Sequence, residues 1–311
     1  MKVDIFLRGS GLMSISTFLE LVEIKAKPAS VMPFSLGLCF SAYYYHSINW
    51  GVSIVFFIAM FMFNMVVDML DNYNDYYHAD SKSYQQKTNI IGRENIDPKL
   101  VRNMIISLTL ISAAIGIWLA YKTGWAVLWM GMFCYFIGFS YSSGPHPLSS
   151  LPLGELASGF TMGFMIVLLS VYLNAYQVFA WNWLSVGQVF LLALADELWI
   201  SNLMLANNIC DAQEDEDNHR KTIVHFIGKK AALTAFSVKN VLAFLVIIAL
   251  PFLKIAPATV WLTVLIVPFV YKQNKLLLQK QVKTETFICA VKTLLVGALT
   301  YSVAYIIGVL L

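Results

Sequence analysis

Charge is what this 311-residue chain has least of. Only 13% of its residues are Asp, Glu, Lys or Arg, against about 25% in a soluble globular domain. That shortage excludes an ordinary water-facing surface. Cysteine is scarce as well. Cys39, Cys134, Cys210 and Cys289 form no CxxC pair, and three of them lie inside apolar runs. Neither a disulfide framework nor a zinc site is expected from them. The layout of a cleaved signal peptide is also missing. Asp4 and Arg8 interrupt the first short apolar stretch, and no small-residue cleavage site follows it. No short internal repeat is visible, and no nucleic-acid partner is expected.

What the chain has in abundance is hydrophobic length. Hydrophobic residues make up 59% of it, and the mean hydropathy is +0.68. A helix needs about 20 apolar residues to cross the hydrocarbon core. Nine candidate spans meet or approach that need, at roughly 29–46, 50–70, 103–121, 124–143, 155–173, 186–207, 231–250, 256–271 and 288–310. The eighth is short and bracketed by Pro257 and Pro268. The expected fold is an all-α, polytopic membrane bundle of about nine transmembrane helices over residues 29–311. Residues 1–28 form an N-terminal cytoplasmic or interfacial segment. Within it, Ser14 to Lys25 reads as one amphipathic helix with Phe18, Leu19, Leu21, Val22 and Ile24 on its apolar side.

The few cations are unevenly placed. With nine spans, the N-terminal segment and the loops on its side hold 17 Lys and Arg, whereas the opposite loops hold only Lys122 and Lys254. The positive-inside rule then puts the N-terminus and the long loops in the cytoplasm.

Two of those loops begin with acidic clusters. Asp68, Asp71 and Asp75 close the second span at i, i+3, i+7, with Asp80 beyond them. Asn208, Asp211 and Asp215 close the sixth span with the same spacing. A helix puts each trio on one face. Carboxylates at a membrane helix end are costly and repel one another unless a cation lies between them. Oxygen-only ligands suit Mg²⁺, which takes one or two carboxylates and completes its shell with water or phosphate oxygens. The candidate metal ligands are therefore Asp68, Asp71, Asp75, Asp211 and Asp215, with Asp68 alternatively a buried partner. Lys87, Arg93, Arg220 and Lys221 follow the clusters and would neutralise phosphate charge. The competing reading makes these acids ordinary solvated loop residues, and it suits Glu214, Glu216 and Asp217 best.

With these motifs the sequence resembles the UbiA superfamily of membrane prenyltransferases over most of its length. Tyr141-Ser-Ser-Gly144-Pro145-His146-Pro147-Leu148, followed by Gly154-Glu155, is similar to the pattern of those members that prenylate 1,4-dihydroxy-2-naphthoate in menaquinone synthesis. So are Asn207-Asn208-x-x-Asp211-x-x-x-Asp215 with Lys221-Thr222, and the opening Leu21-Val22-Glu23-Ile24-Lys25-Ala26-Lys27-Pro28. The first acidic motif departs from the pattern. Asp71-Asn72-Tyr73-Asn74-Asp75 stands where the family has Asn-Asp-x-x-Asp, so Asp71 aligns with the opening Asn. The resemblance implies a bacterial cell-membrane enzyme with Mg²⁺ as cofactor, catalysing through Asp71, Asp75, Asp211 and Asp215. It would join a polyprenyl diphosphate to the naphthoate ring and remove its carboxylate. Asn72, Lys87, Arg93, Tyr141, His146, Glu155, Asn207, Asn208 and Lys221 are the expected substrate-binding residues. Tyr73, Tyr76, Tyr77 and Tyr141 are candidates to stabilise an allylic cation with their ring faces. Another acceptor such as 4-hydroxybenzoate is the first alternative. An ion-coupled transporter is the second, although such proteins carry acids nearer the bilayer midplane.

Overall fold

The structure is a computed structural model that describes residues 13–78, 82, 84–217 and 220–311. Asp80 lies outside the described residues. Nine long segments run in succession, and no strand occurs among the described residues. They are α1 (Pro28–Tyr44), α2 (Trp50–His78), α3 (Pro98–Thr123), α4 (Trp125–Ser142), α5 (Gly154–Ala175), α6 (Trp183–Cys210), α7 (Ile223–Ala249), α8 (258–279) and α9 (Lys283–Leu310). Seven of them are long and apolar enough to cross a membrane. The other two are α1, with 17 residues, and α8, which starts as a 3₁₀ helix over Ala258–Ile266 and becomes α-helical at Val267–Gln279. The chain is an integral membrane helical bundle.

Local chemistry sets the helix ends. Asp97 caps α3 by accepting from Lys99 N at 2.9 Å, and Pro98 occupies the first turn, where its missing N–H costs nothing. Gly124, at φ 122°, makes the tight turn into α4. In α7 the backbone leaves helical geometry at Gly228, so the rod proper starts near residue 229. α5 contains a π-helical stretch, Gly159–Met165. There Gly163 lies against α6 so closely that a Cβ would stand 2.5 Å from Glu197 Cα. The expected single amphipathic helix at 14–25 is two pieces. A helix of about two turns, Ile15–Leu21, is followed by Glu23, whose left-handed backbone (φ 47°) redirects the chain into a 3₁₀ turn and then α1. That bend buries Leu21 and Val22 completely.

Apolar side chains cover the outside of the bundle, as lipid requires. Trp50, Trp125 and Trp183, each first in its helix, are exposed at one end of the molecule, the position of an interfacial aromatic belt. We refer to this end as the far face. The core is built around Trp199, Tyr301 and Tyr305. Both tyrosine hydroxyls find backbone acceptors, Leu192 O at 3.1 Å and Ile255 O at 2.7 Å, which makes their burial tolerable.

Candidate functional site

Opposite the tryptophan belt, the ends of α2 and α6 open into one cavity of about 2440 Å³. Asp68, Asp71 and Asp75 all line it from the continuous helix α2. Asn208, Asp211 and Asp215 line it from the other side, but not from one helix. α6 stops at Cys210, Asp211 is its C-cap, and Asp215 sits on the separate short helix Ala212–Asp217.

The loop after α4 ties these two segments together. Asn74 Nδ2 donates to Ser142 O at 2.8 Å and to Ser143 Oγ at 2.9 Å. From the second segment, Arg220 Nη2 donates to Ser149 O at 3.2 Å and Lys221 N donates to Ser150 O at 3.0 Å. The stretch 142–150 therefore holds the two acidic segments at a fixed separation. Gly144, Pro145 and Pro147 from it form part of the cavity wall.

Three cations reach the acids. Lys27, at the start of α1 and almost fully buried, pairs with Asp68. Lys283, the first residue of α9, binds Asp211 Oδ2 and Asn207 Oδ1 together. Arg220 Nε lies 3.4 Å from Asp215 Oδ1. Burial pushes the Asp215 carboxyl above its usual range, and Arg220 opposes that shift. Its Oδ2 is buried with no hydrogen-bond partner. Glu23 opens onto the cavity but is flanked by protein. That desolvation, with Asp71 nearby, raises its carboxyl too.

The expected substrate residues divide into two groups. Asn72, Arg93, Tyr141, Asn207 and Asn208 line the cavity. Asn72 Nδ2 is held by Asp68 O at 3.1 Å, and Arg93 is engaged by Glu20 at 2.6 Å. Lys87, His146, Glu155 and Lys221 do not line it. Lys87, His146 and Lys221 are exposed. Glu155 is buried one layer behind the wall, where its Oε1 accepts from Asn208 Nδ2 at 2.8 Å. It meets the cavity through Asn208, which lines the wall in front of it. Tyr73, Tyr76 and Tyr77 pack on one another, at 4.8 and 5.4 Å between ring centroids, and leave Tyr141 as the tyrosine of that set on the wall. Sequence reasoning missed Lys27 and Lys283 as site residues, and also Phe63 and Tyr135, a stacked pair 3.8 Å apart that lines the cavity deeper down. It also passed over Asp196 and Glu197, halfway along α6 and buried, so acids are not confined to the helix ends.

Among the described residues, no three His, Cys, Asp or Glu side chains converge closely enough to enclose an ion by themselves. The donors present are carboxylate oxygens on two sides of a shared space, one of them without a partner. That set fits an ion that completes its shell with ligand oxygens, as Mg²⁺ does with phosphates.

Residues 30–308 match the model of the UbiA prenyltransferase family. A curated relative, 1,4-dihydroxy-2-naphthoate octaprenyltransferase of Bacillus subtilis (strain 168), is 26% identical over 247 residues, covering 77% of this chain and 75% of its own. An apo UbiA homologue from Aeropyrum pernix K1 superposes with a TM-score of 0.68 at 17% identity, covering 95% of this chain and 99% of its own. A UbiA homologue from Archaeoglobus fulgidus, bound to GPP and Mg²⁺, superposes with a TM-score of 0.59 at 12% identity, covering 95% and 100%.

Proposed function

Because the chain belongs to the UbiA prenyltransferase family, we propose that it transfers a polyprenyl group from its diphosphate to 1,4-dihydroxy-2-naphthoate, with loss of the ring carboxylate. The product would be a demethylmenaquinol. The observation that carries this reading is the single cavity. Its mouth is lined by two acidic segments with cations among them, and its depth is lined by apolar side chains such as Phe56, Met60 and Leu169. An amphiphile with a doubly charged head and a long hydrocarbon tail is the ligand that such a space describes.

Asp71 and Asp75 on one side, and Asp211 and Asp215 on the other, would hold Mg²⁺ against the diphosphate. When bound, the ion neutralises charge developing on the departing pyrophosphate. Arg220 and Lys283 already stand among the acids and would turn toward phosphate oxygens, adding to that stabilisation. The C–O bond to the allylic carbon breaks, its electron pair leaves with pyrophosphate, and the electron-rich ring attacks the allylic carbon. Carbon dioxide then leaves from the same ring carbon, and its bonding pair restores the aromatic ring. Tyr141 lines the wall, where its ring would favour positive charge in the cavity. Asp68 is satisfied by Lys27, which favours a structural role for that pair. The excess of Lys and Arg in the loops on the aspartate side supports a cytoplasmic site.

The acceptor assignment rests on the B. subtilis relative. The test is a product assay by mass spectrometry on purified protein with octaprenyl diphosphate, Mg²⁺ and each acceptor in turn. Prenylated, decarboxylated naphthoquinol formed in preference to prenylated 4-hydroxybenzoate supports the proposal. A higher kcat/KM for 4-hydroxybenzoate overturns the acceptor and leaves the transferase. Absence of pyrophosphate release with every acceptor overturns both.

A further inference from the structure

Asp211 is already engaged by a cation of the chain's own. Lys283 donates to Asp211 Oδ2 and to Asn207 Oδ1, and its Nζ lies over the Phe287 ring, 5.3 Å from the centroid. Asn207, Asp211, Lys283 and Phe287 all line the cavity. A carboxylate oxygen, an amide oxygen and an aromatic ring thus converge on one positive charge.

Lys283 is poorly placed for its own helix. It is the first residue of the 28-residue α9, and the positive end of a helix dipole repels an ammonium in that first turn. The acid in the same turn does not hold it, because Glu285 is engaged by Lys280 at 2.6 and 2.7 Å. What holds the ammonium in this position is Asp211, at the C-cap of α6.

Mg²⁺ alone is a weak competitor for Asp211. It dehydrates reluctantly and needs each ligand oxygen at about 2.0–2.1 Å. On Oδ2 it would stand against the ammonium. Among the described residues, no three His, Cys, Asp or Glu side chains close around an ion to offset that repulsion. A diphosphate changes both sides of the exchange. Its oxygens complete the shell of the metal, and they also accept from a displaced ammonium. Lys283 is 45% exposed against 16% for Asp211, so its flexible stem has room to swing away from the acid. Arg220, by contrast, stands 3.4 Å from Asp215 Oδ1 and leaves Oδ2 without a partner, so the close engagement is particular to Asp211.

We propose that Lys283 closes Asp211 to free Mg²⁺ and gives it up only to a diphosphate, so that metal enters this half of the site with the donor and not before it. The proposal rests on the metal and donor assigned above and is independent of the acceptor. It makes Lys283 the residue that couples recognition of the diphosphate to loading of the metal. By linkage, the metal strengthens diphosphate binding by the same factor as the diphosphate strengthens metal binding.

The test is metal binding, without turnover. Mn²⁺, which takes the same oxygen ligands as Mg²⁺, is titrated into purified full-length protein in a neutral detergent, and free Mn²⁺ is read by electron paramagnetic resonance. In a parallel series, radiolabelled inorganic pyrophosphate is added with Mn²⁺ and the label retained on the protein is counted. The variants are K283Q, K283M, K283R, K280Q and D211N/K283Q. K283Q keeps an N–H for Asp211 should K283M fail to fold. Lys280 is a neighbouring cation that does not line the cavity, so K280Q controls for the loss of one charge. Coupling between two sites is typically about 5–150-fold, so K283Q and K283M are expected to bind Mn²⁺ alone at least about tenfold more tightly than the parent protein. K283R and K280Q should stay within about twofold of the parent, and D211N/K283Q should lose the gain. Parent-level Mn²⁺ binding in K283Q and K283M overturns the proposal. An equal gain in K280Q also overturns it, since any nearby positive charge would then have the same effect. If neither the parent nor any variant binds Mn²⁺, and none retains pyrophosphate in its presence, the metal assignment itself falls.

Discussion

The pair formed by Lys27 and Asp68 makes a quantitative prediction that separates a structural acid from a metal ligand. Lys27 is 3% exposed and Asp68 22%. Besides Asp68, the Lys27 ammonium has Asn64 O at 3.2 Å. Asp68→Asn strands that ammonium in a place water hardly reaches, and breaking a buried pair from one side costs about 3–5 kcal/mol. Lys27→Met is milder. Asp68 lines the cavity and can be hydrated through it, so a cost of about 1–2 kcal/mol is expected, the lower range for an incompletely satisfied group. In the double variant no charge is left unpaired. The loss should fall to about 1 kcal/mol, since replacing both members of a buried pair is often near neutral. The coupling energy is then about 3–6 kcal/mol, at or above the upper end for residues in direct contact. Unfolding of the four proteins in one detergent should rank them as parent, double variant, Lys27→Met and Asp68→Asn. Pyrophosphate release should recover in the double variant relative to Asp68→Asn. Additive losses, or a stable double variant that is as inactive as Asp68→Asn, would refute the structural role and return Asp68 to the metal.

Four further outcomes are expected. Asp75→Ala, Asp211→Ala and Asp215→Ala should each lower turnover by at least about 100-fold with the protein still inserted, because each removes a charge that stabilises the leaving group; an active Asp211→Ala enzyme contradicts the metal assignment. Glu155→Ala should weaken acceptor or donor binding more than Glu155→Gln, because the glutamine keeps an oxygen for Asn208 Nδ2, and equal effects of the two on KM contradict a positioning role. Asp196→Leu should leave activity intact and raise the unfolding temperature, because both carboxyl oxygens are buried without hydrogen-bond partners and an apolar replacement of similar shape removes that penalty; a loss of turnover would give Asp196 a function. A tag at Leu311 should be accessible only from outside the cell and one at the N-terminus only from the cytoplasm, and cytoplasmic labelling of Leu311 contradicts the orientation.

The fold was legible because length and apolarity are local properties. The span expected at 50–70 is α2, and the helix simply continues beyond its hydrophobic part to carry the acids out to His78. The span expected at 103–121 is α3, lengthened to its Asp97 cap. The first acidic face was legible for the same reason, since i, i+3, i+7 spacing is read within one segment, whereas the second trio is split because α6 stops at Cys210. What could not be read were relations between segments. Lys27 and Lys283 look like any loop cation in sequence, and only packing brings them to Asp68 and Asp211, 41 and 72 residues away. Glu155 was expected at the ligand because its motif resembles the family pattern. Its side chain stops one layer short, at Asn208 on the wall. Asp196 and Glu197 were overlooked because the apolar residues around them make a long enough hydrophobic window to absorb two acids. The break at Glu23 depends on a left-handed backbone that a non-glycine sequence does not announce.

The two lysine contacts also differ in when they can form during synthesis. Lys27 and Asp68 belong to the first helical hairpin, α1 and α2. Once that hairpin has been inserted, its most deeply placed acid already has its counter-ion, before any metal or substrate is available. Asp211 must wait for α9, the last helix made, to bring Lys283. A nascent chain halted before α9 therefore has Asp68 paired with Lys27 and Asp215 beside Arg220, while Asp211 still lacks its cation. The acidic mouth closes only on the finished chain, so a truncated translation product cannot assemble a partly working site.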